Sequence, residues 1–318
     1  MKIGVIGLGN HAVNRVMPAL AEANIELGGI TTRNPEKGEL IAEKFGTKYY
    51  KTFDELLHDD IDSVYIASPN FLHYEHALKS LNHGKNVLVE KQMTLRSSEA
   101  RELIDVARDM RLKLAVGFHL RFHPALIALE RMMGNDREDI RFIGGVWAHK
   151  TSHNIQNADS KWWNEPEKVG GGSVMGTGVH VIDTLLNLYG KFPRKVTGFR
   201  FPETSIIDTT MIVNMQFDHA IGYALSSREI EKSPNDLTVM TEAHRYEIRN
   251  FFSTEISSSI YVDGKEKEQF AEGNMYRDEL EEFKKAVMGL DNRIASGRDG
   301  YNVVRVTEDA QKFFSMTR

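Results

Sequence analysis

Residues suited to dinucleotide chemistry appear within the first dozen positions. Gly7-Leu8-Gly9-Asn10-His11-Ala12 fits G-x-G-x-x-G/A. In that pattern the first glycine permits a tight turn and the second lets the backbone approach a pyrophosphate. Ala12 allows close helix–strand packing, and amides at the helix start face the phosphate charge. The pattern alone is weak, because a ligand-free strand–helix turn also satisfies it. Here an apolar, β-branched run precedes it and helical periodicity follows. An NAD site usually places Asp or Glu about 20 residues further on, against the ribose 2′-hydroxyl. Leu27 to Pro35 holds no acid and reads Thr31-Thr32-Arg33-Asn34 instead. A guanidinium there pairs with a 2′-phosphate and the hydroxyls donate to it. The expected cofactor is therefore NADP, with NAD the alternative. A solvated loop role for Arg33 competes with this reading.

Two further positions carry proton and charge chemistry. Lys91 follows the apolar run Asn86 to Glu90, and ligands of parallel sheets bind beyond such strand ends. A cation there can hydrogen-bond a reacting oxygen and stabilise developing negative charge. His180 follows Gly170-Gly171-Gly172-Ser173 at the start of a helical run. An imidazole titrates near neutral pH and can take or return a hydroxyl proton. The bland readings are a surface lysine and a satisfied core histidine. Asp183, three residues on, shares the helical face of His180.

Other chemistries are poorly supported. The chain has no cysteine, which removes disulfides, thiolate metal sites and a cysteine nucleophile. His119 and His123, and His149 and His153, are four apart. Pro124 interrupts a helix through the first pair, 149 lies on an expected strand, and no third ligand stands out, so no metal is expected. There is no G-x-S-x-G elbow. Net charge is -5 without a long basic run, which argues against nucleic acid. No apolar run reaches the length of a membrane span. The apolar start is broken by Asn10, His11, Asn14 and Arg15, unlike a signal peptide, so a cytoplasmic protein is expected.

The elements that must hold these residues alternate at first between strand and helix. Strands are expected at Lys2 to Ile6, Ile25 to Thr31, Ser63 to Ala67, Asn86 to Glu90 and Lys113 to Gly117. Helices are expected at His11 to Glu22, Pro35 to Phe45, Leu72 to Leu81 and Ser97 to Met110. This alternation gives a doubly wound parallel sheet with right-handed crossovers. After about residue 122 the pattern changes. A helix at Pro124 to Met133, a strand at Ile140 to His149 and a helix at Val174 to Tyr189 lead into six strand-like runs between Lys195 and Val262, with helices at Tyr276 to Met288 and Asp299 to Phe314. Sequential strands with short turns make a mostly antiparallel sheet. The expected class is α/β: an N-terminal Rossmann sheet, then a C-terminal α+β domain with a large, mostly antiparallel open sheet. The expected domains are 1–121 and 122–318, the helix at about 299–315 being a candidate to pack on the first.

Ile61-Asp62-Ser63-Val64-Tyr65-Ile66-Ala67-Ser68-Pro69-Asn70 leads through His73 to Gly84-Lys85-Asn86-Val87-Leu88-Val89-Glu90-Lys91. With the Gly-rich turn and His180-x-x-Asp183, this closely resembles the glucose–fructose oxidoreductase / inositol dehydrogenase family, Gfo/Idh/MocA, over nearly the whole chain. The resemblance implies a Rossmann domain plus a mainly antiparallel domain whose open sheet face builds homodimers or homotetramers. It implies hydride transfer between nicotinamide and one carbon of a sugar, polyol or related small molecule. It makes Ser68, Pro69, Asn70, His73 and Glu90 cofactor contacts, Glu90 at the nicotinamide ribose. Lys91 becomes a catalytic-site residue that also lies against the cofactor, and His180 the general acid/base. Arg33 and Thr32 resemble the NADP-using members. Phe118 to Pro124, with Arg121, resembles the segment beside the substrate pocket, and Asp183 supports the helix or ring. Trp162-Trp163 either stacks on a sugar ring or anchors the loop before it.

Two positions depart from the family. Gly176 stands where many members have Asp, four residues before the histidine. Gln92 stands where Pro usually follows Glu-Lys, which makes a cis bond there costly. The proton path then runs through His180 alone, through Lys91 or through water. A nucleotide-sugar dehydrogenase of the same fold, and a non-catalytic NADP-binding regulator or scaffold, are the alternative functions.

Overall fold

In the computed structural model, residues 1–151, 162–253 and 255–316 are described. The β-branched run Lys2–Ile6 forms β1, buried except at its first residue. It is the central strand of a sheet with β2 (Glu26–Thr31), β3 (Tyr49–Tyr50), β4 (Ser63–Ile66), β5 (Asn86–Glu90) and β6 (Leu114–Gly117). All pairings are parallel, in the order β3-β2-β1-β4-β5-β6. The chain winds outward one way from β1, then restarts beside it at β4, so the topological switch point lies between these two strands.

Local chemistry explains the helices. A wide first turn at Ala12–Val16 runs into α1 (Met17–Glu22), burying Ala12, Val13, Val16 and Leu20. For α2 (Pro35–Phe45), Asn34 accepts from the Lys37 amide, Pro35 opens the first turn and Gly46 ends it at φ 62°, each the favoured residue for its position. Then come α3 (Phe53–His58), α4 (His73–Asn82) after a 3₁₀ turn at Asn70–Leu72, and α5 (Ser97–Asp109). Near the other end of the chain, α9 (Met275–Val287) adds Tyr276, Leu280 and Phe283 to the core built on β1 and α1.

The chain divides into two compact units: Met1–His119 with Asn274–Tyr301, and Leu120–Gly273 with the residues from Asn302 onward. The second unit contains α6 (Pro124–Met133), β7 (Phe142–Ala148), α7 (Pro166–Val169) and α8 (Val179–Tyr189). Its remaining strands are β8 (Lys195–Phe201), β9 (Thr210–Gln216), β10 (Ile221–Ser227), β11 (Leu237–Met240), β12 (Arg245–Arg249), β13 (Ser258–Val262) and β14 (Lys265–Phe270). The eight strands order as β14-β13-β12-β11-β7-β10-β9-β8. Every pairing is antiparallel except β7 with β10. Both sheets have the architecture expected from the sequence.

One face of the second sheet is covered by α8, where Val181 fills the space beside Gly145. The last helix, α10 (Gly297–Met316), sets Ala310 against Gly198 of β8. Four elements lacked a sequence signal. β3 is two residues long, and α3 and α7 are short helices of six and four residues. β14 reads Lys-Glu-Lys-Glu-Gln-Phe and is exposed, a charged edge strand with no apolar alternation. Among the described residues no helix is long and apolar enough to cross a membrane.

Candidate functional site

The Gly-rich turn follows β1 directly. Gly7 has φ +91° and donates its amide to the Thr31 carbonyl at 3.2 Å. A Cβ on Gly7 would stand 2.5 Å from the Ala67 carbonyl and the Ser68 amide nitrogen, so only glycine lets the ends of β1 and β4 approach. Among the described residues, a Cβ on Gly9 would meet nothing within 4 Å. Gly9 and Asn10 are exposed, while Ala12 is fully buried against the sheet. An exposed backbone over open space, at a helix start and at the switch point, fits a dinucleotide pyrophosphate. Thr32 is half-buried, its carbonyl accepting from Tyr49 at 3.3 Å, and Arg33 is exposed.

Around the ends of β4 and β5 the predicted residues interlock. Glu90 is buried and accepts from Tyr65 Oη, contacts His11 Nε2 at 3.1 Å, and accepts from the Lys91 amide at 3.2 Å. Gly117 leaves room for it, since a Cβ there would lie 3.0 Å from Oε1. Burial pushes the Glu90 carboxyl up. Charge attraction and hydrogen bonding from His11, then the Tyr65 hydroxyl and Lys91, outweigh this and hold it down at about 2. The Tyr65 phenol is pushed well above its usual value by burial and by Glu90. The site thus keeps a buried carboxylate charged beside half-buried Lys91.

That has a measurable consequence. The folded value of Glu90 lies below its ordinary 4.5, so its contribution to stability is present above pH 4.5 and fades as pH falls toward 2. The shift corresponds to about 3 kcal/mol. Urea titrations across this range should show that slope in the wild type and a flatter one in Glu90→Gln. Identical slopes would show that the carboxylate is not held this way.

Ser68 and Asn70 are buried, and Pro69 is half-buried. His73 is buried with Nδ1 2.7 Å from the Gln92 carbonyl and Nε2 2.7 Å from the Ser68 carbonyl. Carbonyls only accept, so the neutral ring satisfies one contact and the imidazolium both. Burial lowers its pKa, with the two carbonyls opposing. His73 thus ties the Ser68-Pro69-Asn70 loop to the segment after Lys91. The Lys91–Gln92 bond is cis although residue 92 is not proline. The cost expected of a cis bond there did not prevent that geometry.

In the second unit, His180 is 3% exposed near the start of α8, its ring 5.3 Å from that of Trp147. Asp183 turns to a different partner. Its carboxylate receives Arg121 Nε at 2.9 Å and Nη2 at 2.6 Å, with both side chains buried. These two expected substrate-side residues hold each other in a bidentate pair. Trp162 and Trp163 stack at 4.4 Å, and the Arg228 guanidinium lies 5.6 Å from the Trp163 ring. The loop before them lies outside the described residues, except Thr151, as does His153. Of the other spaced histidines, His123 caps α6 by accepting from the Ala125 amide at 3.1 Å, and the His119 ring lies 4.8 Å from Tyr276.

Several residues that shape these sites carried no sequence signal. Asp208 accepts from the Gly172 amide at 2.7 Å, the Val174 amide at 3.1 Å and Ser173 Oγ, and so fixes the glycine turn leading to His180. It comes from the β8–β9 connection, 36 residues beyond Gly172. His76 lies 2.8 Å from Ser68 Oγ and is brought down to about 4 by burial, then by the charges of His73, Lys79 and Arg33. Tyr65 is an ordinary strand residue until the fold sets Glu90 against its hydroxyl.

Comparison with known proteins agrees with this architecture. The chain is 30% identical over 190 residues to glucose-6-phosphate 3-dehydrogenase of Bacillus subtilis, covering 59% of this chain and 53% of that one. It is 25% identical over 296 residues to D-xylose 1-dehydrogenase (NADP(+)) 2 of Haloferax volcanii, covering 90% and 89%. It thus spans about half the length of the Bacillus relative. The structure of aldose-aldose oxidoreductase from Caulobacter crescentus superimposes with a TM-score of 0.88 at 22% identity, covering 100% of this chain and 98% of the other, a likeness of fold. Residues 1–118 match the model described as oxidoreductase family, NAD-binding Rossmann fold, and residues 139–247 match the GFO/IDH/MocA C-terminal domain. Matched in both units and over more than two thirds of its length, the chain belongs to the GFO/IDH/MocA oxidoreductase family.

Proposed function

We propose that this chain is an NADP(H)-dependent oxidoreductase acting on a CH–OH or carbonyl carbon of a sugar or polyol. The observation that carries the reading is the open Gly-rich turn at the switch point, with an arginine-bearing, acid-free end to β2. The name of the Haloferax relative, an NADP-linked D-xylose dehydrogenase, supports both parts. Nicotinamide, when bound, supplies the hydride acceptor or donor. The backbone from Gly7 to Ala12 takes the pyrophosphate, and Thr32 with Arg33 the 2′-phosphate. Ser68, Pro69, Asn70 and the Glu90 carboxylate flank the nicotinamide end. Lys91 hydrogen-bonds the reacting oxygen and stabilises its charge. His180 takes the hydroxyl proton in oxidation and returns it in reduction. The exposed Phe199, Phe201 and Ile221 of β8 and β10 support pairing of copies through that sheet face.

Turnover of a panel of aldoses and polyols with NADP+, and of their carbonyl forms with NADPH, tests the reading. Binding of NADPH with no turnover of any member would favour the regulator or scaffold instead. Arg33→Glu should weaken NADP by about 10- to 100-fold, the worth of one or two charge-assisted hydrogen bonds. NAD should change little. An unchanged preference, read from kcat/KM for both cofactors, would remove NADP from the proposal.

A further inference from the structure

Gly176 stands one helical turn before His180, on the same side of the helix. Beyond its own helix backbone, a Cβ built there would meet one atom of the described residues within 4 Å: Arg228 Nη2, at 3.6 Å. Arg228 follows β10 and is partly buried. Among the described residues its side chain makes one hydrogen bond, from Nη2 to the Gly172 carbonyl at 2.8 Å. Trp163 lies 5.6 Å from the guanidinium. Among the described residues no carboxylate lies within salt-bridge distance of it. Among the described residues the acid whose charge acts on it is Asp208, whose carboxylate is taken up by Gly172, Ser173 and Val174. Burial pulls the Arg228 pKa below its ordinary value, and its charge in turn lowers that of His149, after burial.

A guanidinium keeps its proton under these conditions. The second unit therefore holds a partly desolvated fixed cation beside a glycine which, among the described residues, sets no side chain over it, one turn from His180. Burying a charge with a neutral carbonyl but no counter-charge is costly. An oxyanion on the ligand would supply that partner, and the planar fork suits carboxylate or phosphate equally. We propose that Arg228, exposed by the absence of a side chain at Gly176, makes this enzyme selective for acidic sugars, those carrying a carboxylate or phosphate. The inference rests on the oxidoreductase reading for where the substrate sits, but binding tests it independently of turnover.

The test is calorimetric titration of the NADPH-loaded protein with D-glucose, D-glucuronate and D-glucose 6-phosphate. At least one anion should bind 10-fold or more tighter than glucose, and which one identifies the carboxylate or the phosphate. Arg228→Gln should bring that ratio to about 1, and Arg228→Lys should keep only part of it, having the charge without the fork. Gly176→Asp retains the arginine but sets a carboxylate against it, and should also abolish the preference. This variant guards against a folding defect from loss of the Gly172 contact. Equal or absent binding of all three sugars, or an anion preference that survives both Arg228→Gln and Gly176→Asp, would overturn the proposal. Failure of the oxidoreductase reading shows separately, as tight anion binding with no turnover of any sugar.

Discussion

Replacing Lys91 with alanine is expected to lower kcat about 100- to 1,000-fold, the usual cost of removing one preorganised donor from a site of developing charge. NADPH affinity should change by only a few-fold, because most dinucleotide contacts assigned above lie on the Gly7 turn and the end of β2. Lys91 neighbours the Glu90 carboxylate, which His11 and Tyr65 hold in its charged form. Lys91 is half-buried, so alanine should fold. Steady-state kinetics with equal melting temperatures would separate chemistry from stability. His180→Ala should also lower kcat and flatten the limb of the pH–rate profile that reports the acid/base group. Turnover indifferent to both substitutions would sink the mechanism proposed here.

The largest stability effect is expected at Arg121 and Asp183. Both are buried and joined by two hydrogen bonds, at 2.9 and 2.6 Å. Removing one partner takes from the other, a buried charge, its bidentate counter-ion, and breaking a buried pair in this way costs about 3–5 kcal/mol. Arg121→Met and Asp183→Leu should each show this loss in urea unfolding. The double variant should recover much of it, because an apolar pair of similar volume needs no desolvation compensation. If both single variants lost less than about 1 kcal/mol, the pair would be dispensable. Asp183 lies three residues from His180 on α8, so the single variants should also disturb the histidine through helix position.

The local features of the fold were readable from spacing. Pro35–Phe45, with Asn34 before it and Gly46 after it, carries its own start and stop signals, and its ends fall where those residues stand. The runs Lys2–Ile6 and Asn86–Glu90 read as buried strands by their length and β-branched content, and they form β1 and β5. These signals are short-range, so the chain states them without help from the fold. The doubly wound parallel class followed from them, and the Gly-rich turn and the acid-free end of β2 are likewise local in the chain.

Tertiary structure decided which polar groups meet. Asp183 shares a helical face with His180 in sequence terms, yet its carboxylate is taken by Arg121, 62 residues away. Glu90 is ionised because Tyr65 and His11, 25 and 79 residues distant, converge on it. Gly176, read from sequence as a missing carboxylate, proves to lie against the Arg228 guanidinium. Periodicity reports which face of an element is apolar, but it carries no information about the partner that face will find. A buried charge takes its role from that partner. The sequence alone therefore determined the fold class and the cofactor turn, while the character of the site depended on long-range pairing.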